Sequence, residues 1–125
     1  AKHPGSSSFY KGSVVSYCNE VKHNILGVKS ETLETVGAVS QDTVEQMAKG
    51  VCQLLNTDIG ISVSGIAGPD GGTDELPVGT IWIAVANHET VVSKRLQLGT
   101  SRSENINKAT IEAIFLAKEF AENKN

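Results

Sequence analysis

The sequence has little of what marks a disulfide-rich, membrane-spanning or nucleic-acid-binding protein. Its two cysteines, Cys18 and Cys52, are too few for a disulfide framework and form no C-x-x-C pair, which predicts two reduced thiols in a cytoplasmic protein. The longest apolar run, around residues 81–86, is far shorter than the about 20 residues that cross a bilayer. A formal net charge of -3 offers no basic surface to nucleic acid or to an anionic membrane.

Signals for metal binding, secretion and triad catalysis are also missing. The three histidines, His3, His23 and His88, have no ligand spacing, and the chain has no H-E-x-x-H motif, so we expect neither a metal nor another cofactor. The opening AKHPGSSS is polar and small, unlike a signal peptide. No G-x-S-x-G elbow is present, and no Ser/His/Asp triad can be assigned.

What the sequence does contain is the mixture of helix and strand patterns expected of one α/β domain. Runs of β-branched and aromatic residues predict strands at 13–18, 59–64, 80–86 and 90–98. Apolar residues at helical spacing predict short helices at about 19–27 and 31–36, a longer one from a Ser40 cap to Asn56, and a last one over 103–122. The run TIWIAVA is apolar on both faces, which predicts a central strand with Trp82 in the core. We therefore expect a three-layer domain, a mixed β-sheet with helices packed on it.

A glycine-rich loop separates two of these strands. Residues 64–79, SGIAGPDGGTDELPVG, contain five of the twelve glycines. The loop is not a phosphate-binding loop of the Walker type, because no Lys-Ser or Lys-Thr follows it, and it is not a dinucleotide fingerprint, because a strand follows instead of a helix. Exposed backbone N–H groups after a strand end are suited to binding an anion. The alternative is an irregular connection with no ligand.

Two further segments supply candidate functional groups. In SYCNEVK, Tyr17 ends a predicted strand and Lys22 lies about one turn into the following helix. This spacing can place a phenol and an ammonium at the same carboxyl edge of the sheet as the glycine-rich loop. The alternative is an ordinary surface lysine. Arg102 stands at the start of the last helix, where Ser101 or Ser103 can cap, and a guanidinium there is suited to a phosphate or carboxylate. The alternative is a solvated arginine.

Three segments carry a family resemblance that covers nearly the whole chain. VSYCNEVKHNILGV, GAVSQDTVEQMAKGV and SVSGIAGPDGGTDELPVGTIWIAVA resemble the CinA C-terminal domain family, the nicotinamide mononucleotide amidases. The resemblance implies hydrolysis of the nucleotide's carboxamide by a serine nucleophile without a metal. Lys22 would be the partner of the serine, Tyr17 would orient the reacting group and Arg102 would bind the substrate's charge. The nucleotide pocket would be lined by Ser64, Gly65, Ala67, Gly68, Gly71 and Gly72.

The chain departs from the family pattern at its N-terminus. Family members have an earlier strand and helix with a Thr-Ala-Glu-Ser-Cys-Thr-Gly-Gly type motif that supplies the serine, whereas AKHPGSSS resembles the segment after it. We therefore interpret residues 1–125 as an N-terminally incomplete domain and do not assign the nucleophile to Ser6, Ser7 or Ser8. Either the chain is a fragment of a longer enzyme, or it is a short form that works as a non-catalytic nucleotide-binding or interaction module. In both cases we expect exposed apolar surface at a sheet edge or a homo-oligomer that covers it.

Overall fold

The computed structural model describes residues 2–123, which form helices on both faces of a small sheet. After a 3-10 turn at Ser6–Ser8, the elements in chain order are α1 (Asn19–Asn24), α2 (Ser30–Thr35), α3 (Gln41–Leu54), β1 (Gly60–Gly65), β2 (Thr80–Ala86), β3 (Val91–Gln97) and α4 (Arg102–Glu122). The sheet has the order β1-β2-β3, and both pairs are antiparallel. None of the helices within residues 2–123 combines the length and apolarity needed to cross a membrane.

The central strand β2 divides the core into two halves, as the apolar run TIWIAVA predicts. Its side chains alternate between the two faces of the sheet. Ile81 and Ile83 pack with Leu96, Ala109 and Ala113 beneath α4. On the other face, the side chains of β2 meet α3 and the α1–α2 region in a second cluster that includes Leu26, Val28, Val44, Met47, Ala48, Trp82, Ala84 and Ala86. The expected three-layer α/β architecture is therefore confirmed, with Trp82 packed against the core.

Side-chain caps fix the start of the two long helices. The Ser40 hydroxyl accepts a hydrogen bond from the Thr43 backbone N–H, which confirms Ser40 as the cap of α3. Of the two serines proposed for α4, Ser101 is the cap, because its hydroxyl accepts from the Glu104 N–H. Each cap satisfies one of the N–H groups that a helix leaves without an internal partner. The first residue of α4, Arg102, therefore has a fixed direction relative to the sheet.

The strand expected at Ser13–Cys18 is not formed. Residues 12–17 are extended enough to alternate between half-buried and exposed positions, and Val14 packs against the core on the α3 side. The β-branched residues specify an extended backbone, but a ladder also requires a neighbouring strand about 4.8 Å away. No such neighbour lies beside this segment among the described residues. The paired strands consequently form an antiparallel sheet instead of the mixed sheet that we expected.

Candidate functional site

A cleft separates the unpaired segment 9–17 from the free edge of β1. Its volume is about 970 Å³, and its walls include Val15, Tyr17, Ile61, Val63 and the α4 residue Ile106. Large apolar side chains are exposed on both sides: Val15 is 83% exposed and Val63 is 43% exposed. Soluble proteins seldom leave a contiguous surface of this kind uncovered without a binding role. This cleft is the exposed apolar surface that we expected at a sheet edge.

Three of the predicted site residues line this cleft. Tyr17 lies on the wall formed by the unpaired segment, and its side chain is 89% exposed. Gly65 and Ala67 lie on the opposite wall, where β1 passes into the glycine-rich loop. The structure therefore brings the phenol-bearing segment and the start of the glycine-rich loop to one cavity.

Lys22 is not the ordinary surface lysine that its helix position allowed. Its side chain is only 6% exposed, and its Nζ donates a hydrogen bond of 2.6 Å to the carbonyl oxygen of Ser16. Since Ser16 also lines the cleft, the amine is fixed directly behind the cleft wall. Burial lowers the pKa of Lys22 from its usual 10.5, and this outweighs the opposing electrostatic effect of the nearby Cys18, which raises it. A lowered pKa leaves more of the neutral amine, the form that accepts a proton.

The hydroxyl of Ser64 is turned away from the β1 face that lines the cleft. It donates a hydrogen bond of 2.8 Å to the carbonyl oxygen of Ala38, in the loop before α3. Along β1, Ser62 and Ser64 face the α3 side, whereas Ile61 and Val63 face the α4 side. Ser64 therefore ties β1 to the α2–α3 connection in this structure, and its pocket role stays a prediction.

Arg102 and the glycine-rich loop are in direct contact. The Nη1 of Arg102 donates a hydrogen bond of 3.0 Å to the carbonyl oxygen of Gly68. Arg102 is therefore not a fully solvated arginine, because one of its N–H groups holds the loop. The remaining N–H groups of the guanidinium fork are the ones available to an anion.

At two positions of the loop, neighbouring atoms of the protein leave no space for a side chain, so glycine is required there. A Cβ at Gly68 would lie 2.5 Å from a methyl carbon of Val78, and the backbone there has a φ of +91°, which disfavours any other residue. A Cβ at Gly72 would lie 2.7 Å from the Val78 backbone nitrogen. Gly71, which also has a positive φ, and Gly72 are exposed at the outer part of the loop. Close packing of the chain on itself accounts for Gly68 and Gly72, and contact of the loop with a nucleotide stays a prediction.

Asn105 is a site residue that the sequence analysis missed. It is 1% exposed and its side-chain amide donates to the carbonyl oxygens of Ala67 and Gly99, at 3.0 and 2.9 Å. The signal was present in the sequence, because Asn105 occupies the same helical stripe as Ala109 and Ala113, where an amide would be buried without a reason. Among residues 2–123, no three His, Cys, Asp or Glu side chains come together as a metal site requires.

These observations define an α/β domain with an apolar cleft at a free sheet edge, a buried lysine behind one wall and a clamped glycine-rich loop at the other. A family model described as the CinA C-terminal domain matches residues 1–121, so the chain belongs to that family.

Individual relatives agree with this assignment. The chain is 48% identical to a CinA-like protein of Cytophaga hutchinsonii, with 91% of this chain and 27% of the relative covered. It is 44% identical to a putative competence-damage inducible protein of Thermoanaerobacter, with 93% and 28% covered. The chain thus spans about a quarter of the length of the curated relatives it matches.

The fold is also that of solved members of the family. The crystal structure of the competence damage-inducible protein A from Klebsiella pneumoniae superposes with a TM-score of 0.89 at 36% identity, with 95% of this chain and 74% of that chain covered. The structure of competence/damage inducible protein CihA from Agrobacterium tumefaciens gives a TM-score of 0.80 at 35% identity, with 86% and 66% covered.

Proposed function

We propose that this chain is part of an amidohydrolase that converts nicotinamide mononucleotide into nicotinic acid mononucleotide and ammonia, a step of pyridine-nucleotide recycling in the cytoplasm. The observation that carries the proposal is the buried Lys22 amine, held at Ser16 on the wall of a cleft that also exposes Gly65 and Ala67. A buried lysine with a lowered pKa is an established form of catalytic base. Membership of the CinA C-terminal domain family supports the same activity.

The chemistry requires a hydroxyl nucleophile and a group that moves its proton. The hydroxyl oxygen attacks the carboxamide carbon while the neutral amine of Lys22 takes the hydroxyl proton. The resulting ammonium of Lys22 gives that proton to the leaving nitrogen, which departs as ammonia and leaves an acyl ester. Water then hydrolyses the ester, which releases the carboxylic acid and restores the hydroxyl. Tyr17, on the same wall of the cleft, orients the reacting carboxamide.

The glycine-rich loop and Arg102 are suited to the nucleotide half of the substrate. Gly65 and Ala67 present backbone at the cleft, and the outer glycine Gly71 leaves room for a close approach. Arg102 is held at Gly68 by one N–H group, and its other donors are available to the phosphate. The substrate is thus held at its charged end and reacts at its amide end.

The nucleophile enters the cleft on a segment outside these 125 residues, in the position of the serine-bearing strand and helix of the family. Residues 12–17, which are unpaired, and the free edge of β1 face the cleft from opposite sides. A strand placed between them could pair with both and extend the sheet. The exposed Ile61 and Val63 beside α4 would then be covered by the helix of the same unit. The Klebsiella relative has a longer chain, of which this chain covers 74%.

The two edges of the sheet support this interpretation. The edge strand β3 carries Lys94 and Arg95, charges of the kind that keep an exposed edge from pairing. The other edge strand, β1, has the sequence GISVSG and contains no charge at all. An unprotected edge is expected where another part of the protein pairs with it.

A second candidate function is a nucleotide-binding or interaction module without turnover. The observation that favours it is the hydroxyl of Ser64, which in this structure donates to Ala38 and is not directed into the cleft. In that case a second copy of the chain would cover the β1 edge in a homo-oligomer.

Ammonia release distinguishes the two functions. We expect the full-length gene product to release ammonia from nicotinamide mononucleotide and the 125-residue chain to release none. Free nicotinamide, which lacks the ribose phosphate, is the control substrate and should react far more slowly. No ammonia from the full-length product would refute the amidase. Equal rates from both chains would refute a nucleophile supplied from outside and would direct attention to Ser6, Ser7, Ser8 and Ser64.

A further inference from the structure

The side chain of Asn105 connects two loops that meet at the N-terminus of α4. Its Nδ2 donates to the carbonyl oxygens of Ala67, in the glycine-rich loop, and of Gly99, in the β3–α4 loop. Its Oδ1 accepts a hydrogen bond of 3.0 Å from the Gly99 N–H. All three bonds go to loop backbone, so the amide acts as a bridge between the β1–β2 and β3–α4 connections.

The packing of α4 does not by itself require an asparagine at position 105, so the hydrogen bonds account for the residue. The inward stripe of α4 continues with Ala109 and Ala113, so a small apolar residue would also satisfy the packing of the helix. A buried amide costs free energy unless it is hydrogen-bonded, and here three of its four possible bonds are made. The buried amide of Asn105 therefore fixes the conformation of these two loops.

The bond to Ala67 also fixes the direction of the next peptide group. In a trans peptide the C=O and the following N–H point in opposite directions. With the Ala67 carbonyl aimed at Asn105, the N–H of Gly68 is aimed away from α4, and no acceptor within residues 2–123 takes it. The carbonyl of Gly68 is held in turn by Arg102, so both peptide groups of this turn are set by the first turn of the helix.

We infer that Asn105 is a positioning residue that holds the Ala67–Gly68 turn in its ligand-binding conformation and so keeps Ala67 on the wall of the cleft. The identity of the ligand, nicotinamide mononucleotide, rests on the proposed function. The positioning of the turn by Asn105 is independent of that function. Because the turn acts on binding and not on proton transfer, its loss should raise KM and leave kcat nearly unchanged.

The test compares three variants of the full-length gene product. Asn105→Asp keeps the acceptor for Gly99 but loses both donors, and Asn105→Ala matches the alanine stripe in case the aspartate variant does not fold. Thr43→Val is the matched control, because it removes a buried hydroxyl that donates to Gly37 and accepts from Ser40, on the α3 side of the sheet. Hydrogen exchange of the Ile66 and Gly79 amides, which donate to Thr80 and Ile66 at the base of the loop, and steady-state kinetics with nicotinamide mononucleotide are measured for each.

We expect the Ile66 and Gly79 amides of both Asn105 variants to exchange at least about tenfold faster and the KM to be about tenfold higher, the effect of about one lost hydrogen bond. Thr43→Val should change neither quantity. Unchanged exchange in both Asn105 variants would overturn the inference, and so would faster exchange with an unchanged KM. If the wild-type protein releases no ammonia from the nucleotide, the proposed function fails and the exchange result alone decides whether Asn105 positions the turn.

Discussion

Replacing Lys22 by methionine tests the proposed base with little disturbance of the fold. Methionine keeps the length and the burial of the side chain, but it removes the Nζ hydrogen bond to Ser16. An unpaired carbonyl costs about 1–3 kcal/mol, and this loss is opposed by removal of the desolvated ammonium. The variant should therefore fold, while turnover falls about 10²–10⁴-fold, the usual contribution of a positioned general base.

The pH profile identifies the group that titrates. Since Lys22 must be neutral to accept a proton, the wild-type kcat/KM should rise with pH and level off at the lowered pKa of the amine, below 10.5. Ammonia release from nicotinamide mononucleotide, measured across pH 6–10 in the full-length gene product, should lose this limb in Lys22→Met. Lys49→Met removes an exposed lysine in α3 and should retain both rate and profile. If the limb persists in Lys22→Met, the titrating base is another group.

Three further predictions concern stability. Between the lowered pKa of Lys22 and 10.5 the unfolded chain binds more protons at this residue than the folded one, so wild-type stability should rise with pH relative to Lys22→Met. If the free energies of unfolding of the two proteins in urea differ by the same amount at every pH, this prediction is wrong. Gly68→Ala should destabilise by about 1–3 kcal/mol because of its positive φ and its contact with Val78. Adding Val78→Ala should restore only part of the loss in thermal unfolding, and full recovery would show that φ strain is negligible. Val63→Lys should cost about 1.5–3 kcal/mol in the full-length product if the cleft is filled there. Val92→Lys, at the other edge with a similar 37% exposure, should cost little, and equal effects would mean an open cleft.

The elements of the fold that could be predicted from the sequence are those encoded by local pattern. The strand Thr80–Ala86 was predicted with its observed limits, because a run that is apolar on both faces fits only a covered strand. Ser40 was identified as a cap because the hydroxyl, the turn and the apolar spacing of α3 are all local. The same reasoning placed Arg102 at the start of the last helix.

The elements that could not be predicted depend on contacts distant in sequence. Residues 13–18 have strand composition, but pairing depends on a neighbour that composition does not report. Asn105 is hydrogen-bonded to Ala67, 38 residues away, and no local sequence pattern indicates that partner. The burial of Lys22 depends likewise on the path of the segment that contains Ser16. Local propensity sets the backbone, and tertiary contacts decide which polar groups are enclosed.

The uncharged β1 edge and the charged β3 edge limit how copies of the 125-residue chain can associate with one another. When β1 is left uncovered and segment 9–17 moves aside from the cleft, two molecules can join their β1 edges about a twofold axis into one continuous six-stranded sheet. Both outer rims of that pair are then β3, where Lys94 and Arg95 repel a third molecule. Growth therefore ends at two, and concentrated solutions of the bare domain should contain closed pairs instead of fibres.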